Sequence, residues 1–180
     1  MQVYEVLTTK DLKEIIKHGS KSFPLAIYKT LLSRNKLGYV QLHWHNEIQF
    51  VLVTKGTINF IVDSTSNIIE ENNGIFINSN HLHSARSFQC DDSEYICIDV
   101  NANLFINNEN NIINKKYLEP FISAKSIPAI SLNRDIQWQQ DILNDFEILY
   151  LLYEEKKFGY ELKMQSIILN ILHNMIINSE

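Results

Sequence analysis

Between Gly38 and Gly56 the chain reads GYVQLHWHNEIQFVLVTKG, and no other stretch narrows so far what the whole can fold into. Successive side chains of an extended strand point to opposite faces. His43, His45, Glu47, Gln49, Val51 and Val53 therefore share one face, while Trp44, Ile48, Phe50 and Leu52 share the other. Polar and apolar positions meet on one sheet. A second histidine pair, His81 and His83, lies behind a turn expected at Asn78-Ser79-Asn80, where a folded sheet could bring it against the first. Two His-x-His dipeptides on neighbouring strands suggest a pocket.

The surrounding sequence has the punctuation of a β-rich domain. Short strands are expected at Tyr39 to Trp44, Glu47 to Thr54, Thr57 to Asp63, Asn67 to Glu70, Ile75 to Asn78 and Glu94 to Val100. Turn residues separate them at Lys55-Gly56, Asp63 to Ser66 and Asn72-Asn73-Gly74. Regular short strands of this kind indicate a sandwich or barrel. Upstream, Thr8 or Thr9 is placed to cap a short helix through Asp11, Leu12, Ile15 and Ile16, ending about Gly19. Pro24 then opens the apolar run FPLAIYKTLLS, and proline suits an edge strand or an arm better than a central strand.

From Asn101 to Asn114 the chain is rich in asparagine and lacks periodicity, as a linker would, with Leu104-Phe105-Ile106 anchoring it to a core. A helical turn or two is expected over Tyr117 to Ile122, and Ile127 to Leu132 reads as extended. After Ser131 or Asn133 as a cap, Ile136, Ile142, Leu143, Phe146, Leu149, Tyr150 and Tyr153 fall at helical spacing, with a stop near Lys157 to Gly159. A second helix carries Met164, Ile167, Ile168, Ile171, Leu172 and Met175 on one face, widened by Leu162, Leu169 and Ile176. The two should pair as an antiparallel hairpin. A helix apolar over so much of its circumference needs more than one partner surface. Leu162, Ile168, Leu169, Leu172, Met175 and Ile176 are accordingly the candidate surface for a homodimer.

HWHNEIQFVLVTKG, followed by NNGIFINSNHLHSA, resembles the two cupin motifs in the form used by the ligand-binding domains of AraC-type transcription factors. The tail containing YEEKKFGYELKMQSIILNIL is similar to that family's dimerisation segment, so the resemblance covers nearly the whole chain. It implies a mainly β fold: a double-stranded β-helix (cupin/jelly-roll) barrel followed by a C-terminal α-helical hairpin. The expected organisation is an N-terminal helix or arm over 1–22, a cupin-like barrel over 23–106, a linker over 107–133 and a helical hairpin over 134–180. In the family an arm can lie over the pocket, which makes Phe23 to Tyr28 a candidate lid or else an edge strand. The family's DNA-binding helix-turn-helix half has no counterpart in this sequence, so the natural protein is expected to continue past Glu180.

The resembling motif draws its metal from His43, His45, a glutamate and a later histidine, yet the glutamate position is Gln49 here. The acidic residue common after the second motif's glycine is Ile75, and the proline common a few residues later is Ser79. Two uses of the groove stay open. His43, His45 and His83, with Gln49 as an oxygen donor, could hold a divalent transition metal, the one cofactor the residues suggest. Alternatively, His43, His45, Gln49 and His83 could bind a small polar effector, with Trp44 or Tyr39 stacking on a sugar ring and Arg86 holding a carboxylate or hydroxyls. The walls holding Tyr28, Asn59, Tyr95 and Asp99 are not readable from parity.

Charge and motif content narrow the function classes. At net charge −5 and pI about 5.7, this segment lacks the clustered Lys and Arg that grip DNA; Lys115-Lys116 is the nearest basic cluster. DNA would be reached only through a further domain. There is no Gly-x-Ser-x-Gly elbow, phosphate-cradling glycine loop or HExxH helix, so no nucleophilic constellation stands out; the resemblance implies a non-enzymatic sensor. The rival is a small metal-dependent cupin enzyme, an isomerase or dioxygenase. Cys90 and Cys97 have no redox or zinc spacing and read as reduced and structural. The N-terminus lacks a secretory signal and no apolar run would span a bilayer, which makes the cytoplasm the expected compartment.

Overall fold

The computed structural model describes residues 5–89, 92–105 and 111–179. Its strands are β1 (Leu25–Leu31), β2 (Val40–His43), β3 (Ile48–Lys55), β4 (Thr57–Val62), β5 (Thr65–Glu70), β6 (Gly74–Ile77), β7 (His83–Ser87), β8 (Glu94–Val100) and β9 (Ala129–Leu132). They form two antiparallel sheets, one ordered β1-β8-β3-β6-β9 and the other β2-β7-β4-β5. The chain passes repeatedly from one sheet to the other, which winds it into a double-stranded β-helix.

Asp63 and Ser64, both at positive φ, make a two-residue turn between β4 and β5, the geometry that matches strand twist. Gly74 allows β6 its place: a Cβ there would lie 2.4 Å from the Val51 carbonyl oxygen and 2.7 Å from Leu143 Cδ2. Alternation along β3 divides its side chains between two cores. Val51 and Val53 join Phe60, Ile75, Ile77 and Tyr95 inside the barrel. Ile48, Phe50 and Leu52 face outward and are covered by helices, with Phe50 packed 5.3 Å from Phe146 between ring centroids.

Those helices are α1 (Glu119–Ile122), α2 (Gln137–Glu155) and α3 (Tyr160–Asn178). Lys156 and Gly159, both left-handed, end α2 and start α3, and the two pair antiparallel, with Asn170 Nδ2 donating to Asp145 Oδ2 at 3.2 Å. Ile168, Leu172 and Met175 have no exposed surface, because they complete the chain's own core. They therefore present no surface to a second copy in this arrangement; of the other expected interface residues, Leu162 is 76% exposed, and Leu169 and Ile176 are half-buried.

The structure differs from the sequence reading elsewhere too. The two strands expected on either side of the Trp44 corner are β2 and β3, but they lie in different sheets, so the alternation read through them crosses a corner. The interval read as a linker holds β9, which pairs with β6 and closes the five-stranded sheet. Strand β1 is the opposite edge, so of the stretch Phe23 to Tyr28 the residues from Leu25 on lie in an edge strand. Residues 8–19 are not helical: Thr9 N donates to the Lys13 carbonyl, Ile15 N donates to Leu7, and Leu12 sits at φ 65° in a tight reversal. Backbone groups at the barrel rim compete successfully for this segment's hydrogen bonds. Ser131 and Asn133 do not cap α2, whose preceding residue is Ile136. Leu104 and Phe105 are buried as anchors; Ile106 and Cys90 lie outside the described residues. Among the described residues no helix is long and apolar enough to cross a membrane.

Candidate metal and ligand site

His43 and His83 are direct cross-strand partners at the end of β2 and β7, and His45 follows at the corner into β3. All three side chains enter the barrel. Ring centroids of His43 and His83 are 4.2 Å apart and those of His45 and His83 4.9 Å. One ring nitrogen of each lies within 4.8 Å of the others. Their outer nitrogens are committed: Nδ1 of His43 meets the Gln41 carbonyl at 2.9 Å, that of His45 the Glu47 carbonyl at 3.1 Å, and that of His83 the His81 carbonyl at 2.9 Å. A carbonyl only accepts, so each Nδ1 carries the proton and each Nε2 keeps a lone pair.

That arrangement fits a divalent transition metal. Backbone carbonyls holding Nδ1–H orient imidazoles as metal ligands are oriented, and His83 Nε2 is buried with no hydrogen-bond partner among the described residues. Burial, followed by the neighbouring imidazoles, pushes the pKa of His83 well down and that of His43 down, keeping both neutral. A buried unpaired acceptor is costly. A cation is one group that would satisfy it.

Gln49 reaches the same cavity but presents the wrong end. Its amide nitrogen donates to Asp99 Oδ1 at 3.0 Å and lies 3.5 Å from His45 Nε2. Asp99 is a carboxylate and can only accept, which fixes the amide with nitrogen toward the histidines. The expected oxygen donor is therefore turned away.

The roof comes from the segment misread as a helix. Trp44 N donates to Leu12 O at 3.0 Å and Glu14 N to Trp44 O at 2.8 Å, which lays residues 12–14 along the corner. This register points Glu14 inward beside His18 and His43. Glu14 Oε2 lies 3.0 Å from His18 Nε2 and 3.9 Å from His43 Nε2, and the Glu14 and His18 side chains are almost fully enclosed. His18 Nδ1 also meets the Tyr28 hydroxyl at 3.0 Å and approaches Asp99 Oδ2 at 3.4 Å. Burial alone would lower the His18 pKa, but Asp99 and Glu14 outweigh it and raise it to about 9. His18 is thus an imidazolium between two carboxylates. Burial and Asp99 likewise push the Cys97 thiol well up, so it is an inert donor to Asp99.

Glu14, His18, His43, His83, Gln49 and Asp99 line a cavity of about 50 Å³, room for roughly three to five waters at ~10–15 Å³ each. A larger groove of about 510 Å³ runs along the other side of the arm, past Lys13, Lys17, Lys21, His45 and Asn101, and shares Glu14 and His18 with the cavity.

Three expected pocket residues lie outside. Trp44, opposite in parity to His43 and His45, faces the arm: its Nε1 donates to the Asp11 carbonyl and Lys13 Nζ sits 4.8 Å over its ring. Val40 and Ala85 point into the barrel, so their neighbours Tyr39 and Arg86 point out, where the guanidinium lies 5.1 Å from the tyrosine ring. Asn59, cross-strand partner of Arg86, shares that outer face, while Tyr28, Tyr95 and Asp99 face the cavity. His81 pairs with Asp63 outside it. Glu14 and His18 were not foreseen, because their four-residue spacing reads as one helix face.

Residues 33–172 match the model of the AraC-like ligand binding domain. The "Uncharacterized HTH-type transcriptional regulator YdeC" of Bacillus subtilis (strain 168) is 32% identical over 169 residues, 94% of this chain and 57% of that protein. This chain thus spans little more than half the length of that curated relative. Among solved structures, an RmlC-like cupin with a double-stranded β-helix fold from Methanocaldococcus jannaschii is 16% identical, with a TM-score of 0.40 over 55% of this chain and 79% of that one. FeII HppE is 14% identical, with a TM-score of 0.37 over 42% of each chain.

Proposed function

We propose that this chain, which belongs to the AraC-like ligand binding domain family, is the effector-sensing part of a transcriptional regulator whose DNA-binding part lies in further sequence. The observation that carries the reading is the roofed cavity: Glu14 and His18 reach from the arm onto barrel groups, so an occupant must either make contact with the arm or displace it. A ligand shifts such an equilibrium only through its different affinity for the two arrangements. Here the difference is built in, since the arm forms part of the wall.

The closed cavity fits a few-atom polar molecule or a metal ion better than a sugar. A sugar ring would require the arm to move, opening the cavity into the groove that shares Glu14 and His18 with it. If a metal is the occupant, His43, His45 and His83 would hold it through Nε2. A bound metal would supply Lewis-acid polarisation of an oxygen ligand, which is the specific reason to keep a metal-dependent enzyme as the second reading.

The helical hairpin supplies the second half of the proposal. Leu162, Leu169 and Ile176 recur every seven residues on the outward side of α3, and Phe158 at the hairpin tip is fully exposed. This stripe would join two copies and pass the state of the barrel to the attached DNA-binding parts.

Native mass spectrometry of the purified chain identifies any adduct carried with it, and amide exchange over residues 5–20 is then compared with and without that adduct. Altered arm exchange on binding supports the sensor reading. An adduct that binds and is chemically converted, with arm exchange unchanged, would favour the enzyme.

A further inference from the structure

We infer that Glu14, carried on the N-terminal arm, is the fourth protein ligand of a divalent metal held by His43, His45 and His83, so that the metal fastens the arm over the cavity. The inference rests on the metal reading above and extends it to a residue outside the barrel motifs.

Two observations argue for it. First, the barrel offers no oxygen ligand of its own at the expected position, because Asp99 holds Gln49 with its amide nitrogen toward His45. Three neutral imidazoles leave the charge of a divalent ion uncompensated, and a carboxylate is the hard donor that offsets it. Second, Glu14 brings such a carboxylate from the arm to the side of His43. Its Oε2 lies 3.9 Å from His43 Nε2, on a side chain almost fully enclosed. Nothing about that position is accidental to a floppy terminus: hydrogen bonds to and from Trp44 hold the flanking backbone in register with the His-Trp-His corner.

The surroundings suit the role. His18 Nε2, 3.0 Å from the same oxygen, would orient the carboxylate from behind, as hydrogen-bonded outer groups orient metal ligands.

The test uses the full chain stripped with chelator and titrated with Co²⁺, read by calorimetry, by the visible absorption of the bound ion, and by trypsin cleavage after the exposed Lys17 and Lys21. Wild type is expected to bind one ion per chain and to become resistant at both lysines. Glu14→Gln should bind roughly 10–100-fold more weakly, with a changed absorption spectrum and no gain in resistance, while Glu14→Asp retains part of both. A Glu14→Gln chain with wild-type affinity, spectrum and protection would overturn the assignment and leave the three-histidine site standing. Co²⁺ binding that is absent from wild type, or unaffected by His45→Ala, would overturn the assignment and the metal reading together.

Discussion

Gln49 and Asp99 are direct partners across the β3–β8 pair, and the amide of one donates to the carboxylate of the other at 3.0 Å inside the barrel. This hydrogen bond decides what the polar end of the cavity can do. It satisfies a buried carboxylate and directs amide hydrogens, not an oxygen, at His45.

Gln49→Glu would set two carboxylates against each other where a hydrogen bond stood, costing the metal-free chain about 1–3 kcal/mol. The same change returns an oxygen ligand to the histidines, so added Zn²⁺ should raise the melting temperature more in the variant than in wild type. Differential scanning calorimetry with and without Zn²⁺ checks both halves. Equal stabilisation of the two proteins would show that position 49 has no part in metal binding.

Stability should depend on pH in two directions. His18, raised to about 9 from an ordinary 6.5, contributes stability that is complete below pH ~6.5 and lost as pH rises through about 9, on the order of 3 kcal/mol. His43 and His83, held below that ordinary value by burial, act oppositely. Their contribution is present above pH ~6.5 and lost as pH falls below it. Urea unfolding across this range should give a maximum near neutrality, and His18→Gln should flatten the alkaline limb while leaving the acid limb.

On α3, neighbouring apolar residues should respond differently to change. Leu162→Glu, on the exposed stripe, is expected to weaken self-association in sedimentation velocity with little change in melting. Leu172→Ala opens a cavity in the intrachain core and should cost about 2–5 kcal/mol of stability. Unaltered sedimentation of a folded Leu162→Glu chain would move the interface elsewhere.

Gly74→Ala should destabilise the junction of barrel and helices by about 1–3 kcal/mol. The added methyl meets the Val51 carbonyl and Leu143 together, and the first of these is backbone in the β3–β6 ladder. Loss of the near-ultraviolet signal before the far-ultraviolet one on heating would place the damage in the packing of Phe50, Phe76 and Phe146.

Much of this molecule follows from local rules. Strand alternation correctly sent His43, His45, Gln49, Val51 and Val53 into the barrel and Phe50 toward the helices, because side-chain direction is a property of the strand itself. It also carried the sign that Trp44 faces away. Helical periodicity found α2 and α3 for the same reason. Strand β7, whose HSARS has no apolar alternation, became a strand only through partners distant in sequence; β9 was legible as an extended stretch, but its place at the edge of the five-stranded sheet was not.

The arm is the clearest case of what only the folded chain decides. Glu14 and His18 stand four apart, a helical spacing in sequence, yet the rim at Trp44 offers hydrogen bonds that an isolated helix does not need and a barrel edge cannot leave unmade. In the same way, the orientation of Gln49 depends on Asp99, fifty residues away. Periodicity reports which face a side chain takes; the partner it meets there is set by contacts that no short window of sequence contains.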